Sequence, residues 1–424
     1  MNYLARYFKL TFVKKIKLSI LITFFSLSSY AAFNDGELID AIKNGETTIG
    51  FRYRYEQVAE RLKSCSYANT LRSRLIYQTD NYKGLKVTFG FSNVTGLGEQ
   101  KFNSGGGTSP SKLRYAIIAD PNNTAVYQAN VNYTTLFDTN IIFGRQIINL
   151  DNQRFIGEVA FRQTSQTYDA ITVKNSYLSK TEVLYSHIYR VNRIFSNAAI
   201  KPFDDNRNNT NLLNIKYGGF DYVDLIGYFY SIKNKDIPMF STNTIGARAV
   251  GDKKFKSLYD LKFLYEAEYA YQKNTFNNPV SFSGYYTNLT VGAEIFRTIV
   301  KIGREELSGD RKTSGKSFRT PLATLHIFQG WNDLFLTTPA AGIEDLFVSF
   351  SSIIKPLFDT KITIIYHDFK ASDGDSKLGE EINLNLSKKI NKLSSVSVQY
   401  GKFHSHNILF QNNKKFWLTA RMDF

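Results

Sequence analysis

The chain has little of what most folds and enzymes need: one cysteine, eight prolines, two tryptophans and five histidines in 424 residues. The single Cys65 excludes an internal disulfide, and no Cys-x-x-Cys pair or Cys/His cluster offers a metal or redox framework. His187, His326, His367, His404 and His406 supply bases, but no serine motif accompanies them, so neither catalysis nor a cofactor is expected. His326 and Asp333 lie close in sequence without a serine or metal partner, and a core network role is expected for them. Beyond the amino terminus there is no long apolar run, and mean hydropathy is −0.28. That excludes a helical membrane protein, whose spans need roughly 20 apolar residues each. Few prolines together with 15% aromatic residues favour strands.

What is present begins with an export signal. Arg6, Lys9, Lys14, Lys15 and Lys17 form a basic start, residues 18–27 an apolar stretch, and Ser29-Tyr30-Ala31 a small-residue cleavage site. Residues 1–31 therefore read as a secretory signal peptide and 32–424 as one mature domain with a short periplasmic amino-terminal segment. The chain carries a net charge of +16, and removing those five basic residues leaves +11 on the mature part. A basic balance this large points to anionic partners. Lysine-rich loops touching lipopolysaccharide phosphates are one form of it; no nucleic-acid partner is expected.

Period-2 segments then recur to the end of the chain. Phe51, Tyr53 and Tyr55 oppose Arg52, Arg54 and Glu56. Leu85, Val87, Phe89 and Phe91 alternate with Lys86, Thr88, Gly90 and Ser92. Leu261, Phe263, Tyr265, Ala267, Tyr269 and Tyr271 share a face against Lys262, Leu264, Glu266, Glu268 and Ala270. In the last segment Phe416, Leu418, Ala420, Met422 and Phe424 oppose Trp417, Thr419, Arg421 and Asp423. Successive strand side chains point to opposite faces, so each segment has an apolar side for lipid and a polar side for a lumen. Weaker segments begin near Asn69, Ala125, Asn140, Thr167, Thr181, Asn211, Tyr222, Asn243, Gly284, Thr298, Asp345, Thr360, Glu380 and Ser394. The total is about eighteen, with sixteen as the other even count in view, as a single-chain bacterial barrel requires.

Connection lengths alternate as well. Residues 79–83, 135–138, 175–180, 218–221, 251–257, 355–359 and 389–393 are short. Residues 95–124, 148–166, 192–210, 307–344 and 404–413 are longer. Short periplasmic turns and long external loops in alternation are the mark of a transmembrane antiparallel β-barrel, all-β, in the bacterial outer membrane. Residues 38–43 read as a helical turn or two on the periplasmic side.

Several runs resemble a known family. Gly36-Glu37-Leu38, Arg52-Tyr53-Arg54-Tyr55-Glu56, Thr70-Leu71-Arg72-Ser73-Arg74-Leu75 and Gly144-Arg145-Gln146 are similar to the alginate-export-type porins of Gram-negative bacteria. So are Asp151-Asn152-Gln153-Arg154-Phe155-Ile156-Gly157, Val191-Asn192-Arg193-Ile194-Phe195, Leu264-Tyr265-Glu266-Ala267-Glu268-Tyr269, Thr320-Pro321-Leu322-Ala323-Thr324-Leu325-His326 and Gly330-Trp331-Asn332-Asp333. The resemblance implies a monomeric barrel of eighteen strands with a basic lumen; it does not extend to alginate itself, and this chain departs from the family in its abundance of lysine.

The expected function is a passive diffusion channel favouring anionic solutes: small organic acids, phosphate or anionic saccharides. Arg52, Arg54, Arg72 and Arg74 are expected to face one another across the first hairpin, where like charges repel unless acids or an anion offset them. Rings of arginine are a device of anion pores, because a planar guanidinium grips carboxylate or phosphate with two hydrogen bonds. Arg145, Arg154 and Arg162 lie on or beside a loop able to fold inward. Glu56, Asp151, Asp169, Glu266 and Glu268 are the candidate counter-charges. The stretch 318–336 is too apolar to remain in water, and it is expected to pack at or inside the barrel mouth. The connection that holds it, 307–344, should form with 148–166 a constriction containing Asp151, Phe328 and Trp331. The alternative is a surface receptor or adhesin that uses the long loops, notably the glycine-rich and aperiodic 101–122, expected to be flexible.

The aromatic end of the chain resembles the signal read by the barrel assembly machinery. Deletion of Phe424 is expected to impair assembly while leaving export and signal cleavage intact; undiminished levels of heat-modifiable folded protein in the deletion strain would contradict this.

Overall fold

The computed structural model describes residues 35–255 and 261–424. The signal peptide expected over 1–31 lies outside the described residues. A helix, α1 (Asp35–Lys43), precedes eighteen strands: β1 (Glu46–Glu60), β2 (Ser66–Gln78), β3 (Leu85–Gly96), β4 (Asn123–Thr135), β5 (Thr139–Gln146) and β6 (Thr167–Asn175). They continue as β7 (Thr181–Asn192), β8 (Asp205–Tyr217), β9 (Val223–Ile232), β10 (Thr242–Phe255), β11 (Leu261–Asn274) and β12 (Ser283–Ile295). The last are β13 (Thr298–Leu307), β14 (Ile343–Ile354), β15 (Thr360–Lys370), β16 (Lys377–Lys389), β17 (Ser394–Ser405) and β18 (Asn413–Asp423).

Each strand pairs antiparallel with its sequence neighbours, and β1 pairs with β18 from Gly50↔Asp423 to Glu60↔Asn413, so no strand has a free edge. Lipid requires this closure, because an unpaired backbone group in hydrocarbon costs several kcal/mol. The Phe424 N–H adds a bond to the Ile49 carbonyl at 2.8 Å just beyond the paired register.

The pattern of exposure inverts that of a water-soluble protein. On β3, Leu85, Val87, Phe89 and Phe91 are exposed while Thr88 and Ser92 are buried. On β1, Arg52, Arg54 and Glu56 are buried while Phe51 is exposed. Apolar side chains therefore point out to lipid and polar ones inward. Trp417, on the inner face of β18, is fully buried and meets Phe161 and His326 edge-on.

Several boundaries differ from those the sequence suggests. β8 starts at Asp205, not near Asn211, because 205–210 is polar on both faces where β7 and β8 extend past the apolar band, so no alternation marks it. The strand β10 continues through 251–255, which read as a turn; the rest of that expected turn falls on 256–260, outside the described residues. The tight turn 296–297 passed unnoticed. The 97–122 loop is folded, not loose: Tyr67 bridges Lys101, Ser64 bridges Tyr115, and Phe102, Ala116 and Ile118 pack with Val58 and Ala68. α1 is longer than expected and lies at the periplasmic end, its Ala41 carbonyl accepting the Asp80 N–H at 2.9 Å.

Gly144 on β5 has φ +116°, and a Cβ there would sit 2.3 Å from the Ala129 carbonyl oxygen. A left-handed backbone of this kind strains any other residue by about 1–3 kcal/mol. Gly144→Ala is expected to lower the heat-unfolding midpoint of the folded barrel on gels; an unchanged midpoint would show that β4 and β5 yield at this point.

Candidate solute passage

Two long external connections, 147–166 and 308–342, fold back into the barrel and meet there. Ile156 bridges Leu322, and Gly157 N–H donates to the Leu322 carbonyl at 2.9 Å. The apolar run of the second loop behaves as its composition demands. Phe318, Leu322 and Phe335 are buried in one cluster with Phe155, Ile156, Tyr286, Phe369 and Phe403, which lie on the first loop and the inner wall. Fully burying such a side chain contributes about 1.5–3 kcal/mol, enough to hold the loop inside.

The first loop settles the fate of the facing arginines. Arg52 lies directly opposite Arg72 in the β1–β2 register, and Arg54 lies opposite Thr70. Arg52 donates from Nη1 to the Ala160 carbonyl and from Nε to Gln163 Oε1, each at 2.8 Å, and also to the Arg162 carbonyl. Arg54 Nη1 donates to the Phe161 carbonyl at 2.5 Å, with its guanidinium 4.2 Å from the Phe161 ring centre and 3.8 Å from Asp120 Oδ2. Main-chain carbonyls thus solvate guanidinium groups that the sequence reading left to carboxylates or an anion, with Asp120 the carboxylate that pairs with Arg54. Asp120, which no sequence signal singled out, also accepts Gln163 N–H at 2.7 Å and so clamps the 97–122 loop onto the 147–166 loop.

Arg162 is a cross-brace. It holds Glu56 on β1 at 3.0 Å and Asp333 on the second loop at 3.0 Å. Asp333 also takes Lys415 of β18 at 2.8 Å and His326 Nδ1 at 2.8 Å. Burial alone would raise the Asp333 carboxyl, but Lys415, His326 and Arg162 outweigh it and hold the group well below the usual carboxylate range. Burial pushes His326 down against the opposing pull of Asp333, and its ring stacks on Phe161 at 3.4 Å between centres. The expected network role of His326 and Asp333 is thereby realised as a latch between two loops and the seam of the barrel.

The remaining candidates fall into place unequally. Arg154 is fully buried, with Nε 2.8 Å from Glu305 and its guanidinium 4.7 Å from the Phe328 ring, so it binds loop to wall and touches no open space. Glu266 accepts a hydrogen bond from Arg248 Nε at 3.0 Å and Glu268 lies 3.7 Å from the same atom, a partner the sequence reading missed. Asp151, raised by burial, accepts Asn214 Nδ2 at 2.8 Å on β8, while Trp331 is only half-buried. Arg145 makes a bidentate pair with Asp169 at 2.7 and 3.0 Å. Arg74 stacks over Tyr127 at 3.5 Å.

One cavity, of about 650 Å³, lies against β3–β7 and is lined by Tyr127, Arg145, Asp169, Arg190 and Arg193 among others; another, of about 800 Å³, lies at the external ends of β11 and β12 beside Asp310 and Lys316 of the second loop. Arg190 and Arg193 also escaped the sequence reading; the Val191-Asn192-Arg193 run that carried the resemblance was the signal. The passage is therefore eccentric, polar, and bordered by paired charges on one wall. Asp333→Ala would leave Lys415 buried without its acid, a change that typically costs about 3–5 kcal/mol, while Arg162 would keep Glu56 and lose its hold on the second loop. The expected result is a folded barrel whose loop 308–342 becomes protease-sensitive and whose single-channel conductance rises. Unchanged conductance and protection would place the latch elsewhere.

Comparison with known proteins agrees with this architecture. Residues 98–280 match the alginate export family model. No curated protein matches the sequence. Among solved structures, Pseudomonas aeruginosa OpdK with vanillate is similar at TM-score 0.68 and 11% identity, over 90% of this chain and 99% of that one. Acinetobacter baumannii OccAB2 gives TM-score 0.69 and 12% identity over 91% and 99%. P. aeruginosa OccD3 (OpdP) gives 0.65 and 11% over 91% and 92%. The family match over 98–280 and the closed eighteen-strand wall agree: the chain has the fold of these outer-membrane channels, a β-barrel of the bacterial outer membrane, and its middle part is similar to the alginate export family.

Proposed function

We propose that this porin favours anionic solutes, small organic acids, phosphate or anionic saccharides, through a positive field on the β1–β4 side of its lumen. The observation that carries the reading is Arg72. Its side chain is 4% exposed, and its Nε has no hydrogen-bond partner among the described residues. Arg52, by contrast, is capped by carbonyls and Arg145 by a carboxylate. For Arg72, Arg52 lies directly opposite in the β1–β2 register, Arg74 is two residues along the same strand, and no carboxylate pairs with it among the described residues. A guanidinium without a counter-charge in a region screened from water projects its field farther than a paired one. Arg74, two residues along the same strand, hydrogen-bonds Ser165 at 3.3 Å and stacks on Tyr127, and both partners line the cavity. A barrel of the same fold, OpdK, is known with vanillate, which is a carboxylate.

Reversal potential across a potassium chloride gradient tests the reading. The wild-type channel is expected to prefer chloride, and Arg72→Gln should move the reversal potential toward the cation side. A cation-preferring wild type, or a potential indifferent to the substitution, would refute the proposal.

A further inference from the structure

The outer wall carries a charge arrangement unrelated to the passage. Lys402 on β17 and Lys414 on β18 are directly opposite in register, and the inward neighbours Phe403 and Lys415 are buried, so both lysines point to the lipid side. Both are exposed, and neither forms an ion pair among the described residues. Two residues beyond Ala59, which faces Lys414, the exposed Arg61 continues the same face, its N–H bonded to the Asn412 carbonyl at 3.2 Å. Glu380, the acid on this face of β16, is engaged by Tyr366 at 2.8 Å and lies 4.0 Å from His406. Like charges directly opposite on adjacent strands destabilise a sheet, and a cation on the lipid face is costly except near the interface. At the periplasmic end the opposed Lys254 and Lys262 differ, since Lys262 has Asp252 at 3.0 Å.

The rows beneath identify what would offset this charge. Below the Lys402–Lys414 row come Tyr400 and Phe416, then Val398, Leu418 and Tyr55, all on the same outward face. Tyr55 and Phe416 meet edge-on at 6.2 Å. A basic row at the external rim above an apolar wall matches an amphiphile with phosphates at the surface and acyl chains below. We infer that Arg61, Lys402 and Lys414 form a docking site, at the β17–β18–β1 seam, for the phosphorylated headgroup of an outer-leaflet lipid of the lipid A type. Bound there, the lipid neutralises the repulsion at the strand pair that closes the barrel, and so stabilises the closure.

The test uses the full mature chain reconstituted in phosphatidylcholine vesicles, with or without diphosphorylated lipid A, and reads the heat-unfolding midpoint by gel mobility. The midpoint is expected to rise with diphosphorylated lipid A and not with its dephosphorylated form. That rise should be lost in Arg61→Gln/Lys402→Gln/Lys414→Gln and kept in Arg61→Lys/Lys402→Arg/Lys414→Arg, while conductance stays unchanged in both. An equal rise with dephosphorylated lipid A, an undiminished rise in the glutamine variant, or the same rise from inorganic phosphate alone would overturn the assignment. If the glutamine variant fails to fold, native mass spectrometry of the wild-type protein decides: retention of diphosphorylated over dephosphorylated lipid A supports the site, and equal retention overturns it.

Discussion

A guanidinium taken out of water must find acceptors in fixed positions, and much of this barrel is arranged around that demand. Arg52 and Arg72 are forced into opposition by the β1–β2 register. Repulsion of that kind, repeated along a hairpin, would loosen the strands that close the ring. The 147–166 loop supplies carbonyl oxygens over Arg52 and Arg54, and in return the arginines hold the loop inside the lumen. A main-chain carbonyl is a dipole, not a charge, so the net field of the arginines survives their packing. The same side chains therefore anchor the loop and keep their charge inside the lumen.

Once that loop is anchored, the second follows. Arg162 reaches from the first loop to Glu56 on the wall and Asp333 on the second loop, and Asp333 ties on to Lys415 at the closing strand. Apolar burial completes the fixation, through Phe318, Leu322 and Phe335. A barrel of about eighteen strands is wide enough for an aqueous channel unless loops fill it. Here they fill it unevenly, leaving space against β3–β7, where the wall pairs are Arg145–Asp169 and Arg190–Asp205. Arg145 and Arg190 on this wall each have their own carboxylate, whereas on the β1–β2 side Arg52, Arg54, Arg72 and Arg74 share Asp120 and Glu56 with Arg162.

The outside of the same wall obeys a different solvent. Exposed Phe, Leu, Val and Tyr on alternating positions would aggregate in water but are solvated by acyl chains. The basic residues of the outer face gather where hydrocarbon gives way to headgroups, which is why Lys402 and Lys414 occupy the rim and Tyr400 and Phe416 the rows below.

The alternation in β1, β3, β11 and β18 is a local property, since each strand must present one face to lipid and one to the lumen. The sequence alone therefore determined the barrel and the inward direction of Arg52, Arg54, Glu56 and Trp417, and narrowed the strand count to eighteen or sixteen; closure of the ring decided for eighteen. It also determined that 318–336 would leave water, because nothing in that stretch can be solvated there. It could not say which acceptors each arginine would find. Asp120 carries no periodic signal, Gln163 is one polar residue among many, and the carbonyls of 160–162 have no side-chain signature. Those partners are separated from the arginines by some 66 to 111 residues of chain. Only the folding-in of two long loops brings them within hydrogen-bond distance, and only that packing decides which wall of the lumen remains open.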